Sequence, residues 1–223
     1  MASVAGTLDC GHLFAGPKPC IAGVNDPYFE FDWSRYFGTP RPSRYAGALP
    51  IREGLTLEAG LGILPPLGQY NPANTTTTGL NVGSNLWNFA PTVAATYTTA
   101  PILGEGTEIS AKLFWNNFLP NPATDYATGA VLDLDFAITE HFGRWQFGFA
   151  GLYLRQIADD VRAGVIVPPD GHRLTLLGVG GVVAYDMPEF ASTIKVKVIA
   201  ARPIHENTTD GHSITIGIFK KLY

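Results

Sequence analysis

From Asn85 to Thr139, apolar and polar residues alternate one by one through three successive segments. In the first, Trp87, Phe89, Pro91, Val93, Ala95 and Tyr97 share one face, and Leu86, Asn88, Ala90, Thr92, Ala94 and Thr96 share the other. In Thr107–Phe118, Ile109, Ala111, Leu113 and Trp115 oppose Glu108, Ser110, Lys112 and Asn116. In the third, Leu132, Leu134, Phe136 and Ile138 oppose Asp133, Asp135, Ala137 and Thr139. Successive side chains of a strand point to opposite faces, whereas a helical period of about 3.6 residues scrambles such a pattern. With Gly104 and Gly106 in one connection and Asn121–Tyr126 in the other, the stretch predicts an antiparallel β-meander.

The same reading extends in both directions. Residues 1–26 are rich in Gly and Pro and read as a loop. Pro27–Phe37 reads as a strand with Phe29, Phe31 and Trp33 opposite Tyr28, Glu30, Asp32 and Ser34. Pro40, Pro42 and Pro50 make Gly38–Arg52 a linker, because proline cannot donate to a ladder. Leu55, Leu57, Ala59, Leu61 and Ile63 then face away from Thr56, Glu58, Gly60 and Gly62. A threonine-rich loop spans Pro65–Ser84. Beyond Gly143, the strands Trp145–Gln156 and Arg173–Tyr185 carry apolar residues in both registers, so their inward face stays open. Ile194, Val196 and Val198 oppose Lys195 and Lys197, and a last strand carries Ile214, Ile216 and Ile218. The pattern contains about nine strands and no helix.

Two observations bear on which face is wet. Charged residues make up 15% of the chain and hydrophobic residues 46%, where soluble domains carry about 25% charge. No apolar run reaches the roughly 18 residues of a transmembrane helix, so any membrane span is a strand. Trp87 and Tyr97 bracket the apolar face of the first strand at a separation close to the ~9–11 residues of a tilted spanning strand, and Trp115 stands at the end of the next apolar row. The opposite rows hold Glu30, Asp32, Glu58, Glu108, Lys112, Asp133, Asp135, Lys195 and Lys197. A lysine facing lipid at the midplane costs about 2–4 kcal/mol, so these residues are expected to line an aqueous lumen. Lys112, Asp133 and Asp135 would form a cross-strand charge ladder there. Connections alternate between long and short, as in outer-membrane barrels, with only the 38–52 linker out of step. A soluble β-sandwich with a charged outer face is the competing reading.

Classical active-site patterns are not evident. The five histidines lack ligand spacing, and neither GxSxG nor a phosphate-binding glycine motif occurs, so no metal and no cofactor is expected. A net charge of −4 without a basic run argues against nucleic acid. Asp125 and Tyr126 are candidate ligand contacts in an external loop, with local turn capping as the plainer role. Cys10 and Cys20 are expected to form a disulfide in an oxidising compartment, inert thiols being the alternative. Met1–Val4 has no basic or apolar leader character. An odd strand count cannot close an antiparallel barrel, so further strands are expected outside this chain.

Several stretches resemble the outer-membrane family named for the meta pathway of phenol degradation, commonly labelled a transporter. They are Gly60–Ile63 through Gly68–Asn71, Asn81–Thr92, Asn121–Gly129, Leu132–Phe142 with Gly143, and His205–Asn207. The resemblance runs from about Asp26 to the C-terminus, although the family pattern has a leader and further strands ahead of it and no proline-rich insertion at 38–52. It implies an up-and-down transmembrane β-barrel of about twelve strands, of which this chain would supply about nine. Residues 1–26 would be an external-rim loop and 27–223 the partial barrel. The implied location is the cell outer membrane, the partners outer-membrane lipid and a small hydrophobic or aromatic solute, and the role a non-enzymatic channel or binding port. A non-conducting structural or adhesive barrel, and an outer-membrane lipid hydrolase, are the alternatives.

Overall fold

The structure is a computed structural model and describes residues 2–3, 6–9, 21–77, 81–205 and 211–220. Three short strands, β1 (Ala2–Ser3), β2 (Gly6–Asp9) and β3 (Ile21–Val24), precede the long strands β4 (Tyr28–Arg41) and β5 (Ile51–Leu64). A helical turn α1 (Pro72–Thr77) interrupts the connection to β6 (Asn88–Thr98) and β7 (Thr107–Phe118). Next come β8 (Tyr126–Ala127), β9 (Val131–Phe142) and β10 (Trp145–Gln156), then β11 (Val161–Arg162) and β12 (Val165–Ile166). The described chain closes with β13 (Thr175–Met187), a 3-10 turn at Pro188–Phe190, β14 (Ser192–His205) and β15 (Gly211–Lys220).

The long strands form one antiparallel sheet in the order β1-β4-β5-β6-β7-β9-β10-β13-β14-β15, each paired with its neighbour in sequence apart from the short inserts. Among the described residues, the outer edge of β4 is paired only at Tyr28 and Phe29, with β1, and the outer edge of β15 is unpaired. Both insertions beyond β7 and β10 lie on one rim and join there as the three-stranded sheet β12-β11-β8. The opposite rim carries the shorter connections, of which Gly143 is the tightest: its φ of 63° lies in the left-handed region that glycine adopts without strain.

Alternation decides the two faces as the sequence predicts. Along β6, Asn88, Ala90, Thr92 and Thr98 are buried while Phe89, Pro91, Val93, Ala95 and Tyr97 are exposed. The apolar row is therefore the outer one: Val93 is 56% exposed and Ile216 70%, against 4% for Glu30. The strand Trp145–Gln156 is settled too. Trp145, Phe147 and Phe149 point outward, and Gln146 turns in to meet Glu108 and Thr139 at 3.0 and 2.6 Å. On β13, Leu177, Val179 and Val183 are outward and Gly178, Val182 and Ala184 inward.

Four local expectations change. Residues 1–26 contain three short strands, β2 pairing with β3. The β4 ladder runs through Pro40, which pairs opposite Arg52; Pro40 sits on the unpaired side of an edge strand, where a missing N–H removes no bond. Pro72–Thr77 is helical because Asn71 caps it, its Oδ1 accepting from the Ala73 N–H at 3.0 Å, with proline at the first helical position. The loop Ile157–His172 contains β11 and β12. Cys10 and Cys20 lie outside the described residues.

Candidate functional site

The inward rows line a cavity of about 460 Å³ reached by residues from β4 round to β15. Its polar wall is organised by Lys112 on β7. The Lys112 ammonium donates to Glu30 and Glu58, each at 2.7 Å, and stands 3.5 Å from Asp32. Thr92 Oγ1 adds a 3.0 Å hydrogen bond to Glu30. Gly60 and Gly62 make this convergence possible. A Cβ at Gly60 would stand 2.2 Å from an Asp32 oxygen, and one at Gly62 2.2 Å from the Tyr28 hydroxyl. The three carboxylates come within 4.8 Å of one another, close enough to suggest a cation, and Lys112 supplies that charge.

Curvature, more than register, chooses these partners. Lys112 lies opposite Asp135 on β9, yet it turns the other way. The sequence-based ladder with Asp133 and Asp135 is thus replaced: Asp135 pairs with Lys197 on β14 at 3.3 Å. Asp133 is opposite Phe114, its Oδ1 without a hydrogen-bond partner among the described residues. Counting along the register, Lys112 is aligned with Ala94, Glu58 and Ser34, so Glu30 stands four residues back along β4. Lys197 is aligned with Val182, Gly148 and Thr139, and Asp135 again stands four residues back, on β9. In a flat sheet, three strand spacings of ~4.8 Å and four rises of ~3.4 Å separate such residues by about 20 Å. Extended side chains do not bridge that gap, so the sheet coils strongly toward its polar face.

Facing the charged wall is an apolar one that the sequence did not single out. Ala150, Val182 and Ile199 form a buried cluster with Ala137, Leu152 and Ala201 packed against it, all on inward rows of β9, β10, β13 and β14. Gly178 leaves the room: a Cβ there would lie 2.7 Å from Ile199. The contrast between faces is weak on these strands because both are apolar, which is why alternation could not find the cluster.

Of the remaining candidates, Glu108 meets His141 at 3.3 Å and Gln146 at 3.0 Å. Lys195 sits with its ammonium 5.5 Å from the centre of the Phe219 ring. Trp87, Tyr97 and Trp115 are all exposed on the outer face, Trp87 stacked on Phe89 with centroids 6.0 Å apart. Trp145 and Tyr185, 4.6 Å apart, extend the aromatic row at the short-connection rim. In the long-connection rim, the Tyr126 hydroxyl donates to Asp160, which also accepts from Gly129 N–H at 2.8 Å and Gln156 at 2.6 Å. Burial and that hydrogen bond both raise the Tyr126 pKa. Asp125 is exposed at φ 52°, its N–H bonded to the Asn121 carbonyl at 2.9 Å. Both residues thus have structural roles in the loop.

Between β4 and β5, residues 42–50 form a strap across the other rim. Glu105 is fully buried and accepts from Ser43 Oγ at 2.7 Å, Arg44 N–H at 2.5 Å and Gly143 N–H at 3.0 Å. Arg144 donates to the Gly47 carbonyl at 3.1 Å. Burial opposes ionisation of Glu105, but the hydrogen bonds from Ser43, Arg44 and Gly143 outweigh it and hold the pKa below its ordinary 4.5. A depressed carboxyl stabilises fully above 4.5, and its contribution is lost as pH falls below 4.5 through the folded value. Glu105→Ala is expected to cost about 1–3 kcal/mol by orphaning donors and to speed tryptic cleavage after Arg44. The wild type should show the same faster cleavage below pH 4.5, checked with an acid-active protease. An Ala variant as stable and as resistant as the parent would mean that other contacts hold the strap.

Comparison with known proteins adds one match. The family model described as "Putative MetA-pathway of phenol degradation" matches residues 46–201, more than two thirds of the chain. No curated protein and no solved structure matches.

Proposed function

Since the chain belongs to the MetA-pathway phenol-degradation family, we propose that it forms the wall of an outer-membrane β-barrel that binds and passes small hydrophobic or aromatic compounds. The observation that carries this reading is the inverted sheet. Its outer rows are Val, Ile, Leu and aromatic, and its concave rows hold the ion pairs. Water-soluble sheets do the reverse, because an exposed apolar face of this extent would aggregate.

The ion pairs also support a barrel. Around a closed wall, groups on one circumference approach one another most closely as the wall curls. Both long-range pairs are offset by four residues over three strands, in the same direction on the parallel-running β4 and β9. That offset corresponds to strands inclined by roughly 40–45°, the tilt at which transmembrane barrels close (about 35–45°). The outer edges of β4, beyond Tyr28 and Phe29, and of β15, unpaired among the described residues, then require strand partners, since lipid satisfies no backbone N–H.

The cavity suits an amphipathic ring. An apolar cavity of about 150 Å³ holds benzene, so 460 Å³ admits a substituted ring with water. Ala137, Ala150 and Val182, backed by Ile199, cover the ring face, and the Glu30 and Glu58 carboxylates beside Lys112 accept from a ring hydroxyl. Binding and passage need no covalent chemistry. In phospholipid vesicles carrying the protein, phenol is expected to cross faster than in empty vesicles, with saturation. Equal rates at every concentration would remove the transport reading. The Lys112 cluster also favours a second reading, a barrel closed to conduction. Ion conductance that appears only when Lys112 is replaced would select it.

A further inference from the structure

Among the described residues, Lys195 is the lysine of the cavity that no carboxylate holds in an ion pair. Lys112 is held by Glu30 and Glu58, and Lys197 by Asp135. Acids near Lys195 are committed elsewhere: Asp186 accepts from Thr193 Oγ1 at 2.6 Å, and Glu108 accepts from Gln146 and meets His141. No carboxylate lies within ion-pair distance of Lys195 among the described residues. Its neighbours on either side in the ladder are Ala184 and Gly217, which leave it uncovered.

A ring stands beside that ammonium. Phe219 lies over Gly217, where a Cβ would be 2.9 Å from the ring, and the Lys195 ammonium is 5.5 Å from the ring centre. Cation and aromatic face together make a place for a planar anion, the ammonium offering its donors and Phe219 a stacking surface. The acid-rich cluster around Lys112 lines the same cavity, and its Glu30 and Glu58 carboxylates are held by the Lys112 ammonium. With those acids paired to Lys112, and Asp135 to Lys197, Lys195 is the cation left open to an anion near β14 and β15.

We infer that Lys195 and Phe219 form a subsite for the carboxylate of a small aromatic acid. This rests on the proposed binding of aromatic solutes in the same cavity and adds a charged class to them. The solute's carboxylate meets Lys195 while its ring lies against Phe219 and reaches toward the apolar wall. Neutral phenols, without an anion to offer, gain only the stacking on Phe219 at this position.

The test is equilibrium binding of benzoate and of phenol to the folded protein in detergent micelles. Lys195→Met is expected to lower the benzoate-to-phenol affinity ratio about fivefold, the size of one partly screened charge contact. Lys195→Arg should retain most of it, and far-ultraviolet circular dichroism of each variant confirms the sheet. An unchanged ratio in Lys195→Met overturns the subsite. If the parent binds phenol but not benzoate, the subsite falls and the aromatic port stands. If it binds neither, both fall.

Discussion

Replacing Lys112 by methionine is expected to lower the unfolding free energy by about 3 kcal/mol, the lower end of the cost of leaving a buried charge unpaired, because Glu30 is buried while Glu58 and Asp32 are partly exposed. The ammonium ties together Glu30, Glu58 and Asp32, whose oxygens lie within 4.8 Å of one another. Without it, each close carboxylate pair repels by about 3 kcal/mol at an effective dielectric near 20, more than a methionine recovers by burying its methylenes. The measurement is urea unfolding in phospholipid vesicles followed by tryptophan fluorescence. Adding Glu30→Gln and Glu58→Gln to Lys112→Met should restore at least half the loss, because the repulsion goes with the charges. A single variant within ~1 kcal/mol of the parent would show that solvent screens the cluster and that it does not hold the wall together.

Val93→Arg is expected to destabilise the vesicle-embedded protein by about 2–4 kcal/mol, the cost of an arginine facing the middle of the hydrocarbon. Val93 is central on β6, paired with Ala59 and Leu113, and is 56% exposed. On a water-facing surface the same change is worth about ±0.5 kcal/mol, because little packing is lost and the charge stays hydrated. Val93→Thr serves as the control for shape. Should Arg prove as benign as Thr in vesicles, the outer face does not sit in lipid.

Both results depend on sidedness, and there the sequence was most informative. In β6, β7 and β9 every second residue changes character, so each strand carries its own statement of which face is which. The β10 strand carries none, since Phe147 and Phe149 outside are matched by Ala150 and Leu152 inside. The burial of Ala150 and the hydrogen bonds of Gln146 reveal its orientation. Pro40 misled for a different reason. Proline forbids a ladder only where its nitrogen faces a neighbour, and edge position is a property of the sheet. Glu105 was legible only as a residue between two glycines in a connection; its three donors come from segments about forty and sixty residues away.

Alternation, the aromatic ends of the strands and the long-and-short rhythm of the connections were determined by the sequence alone, because each is a local property read within one strand or loop. The tertiary structure decided which charges meet. Lys112 faces Asp135 across one ladder step yet joins Glu30 three strands away. That choice follows from coiling, which accumulates from strand to strand and is written in no single one of them. The cavity, its apolar wall and the uncommitted Lys195 arise from the same curvature, which brings distant rows of the sheet round to face one another.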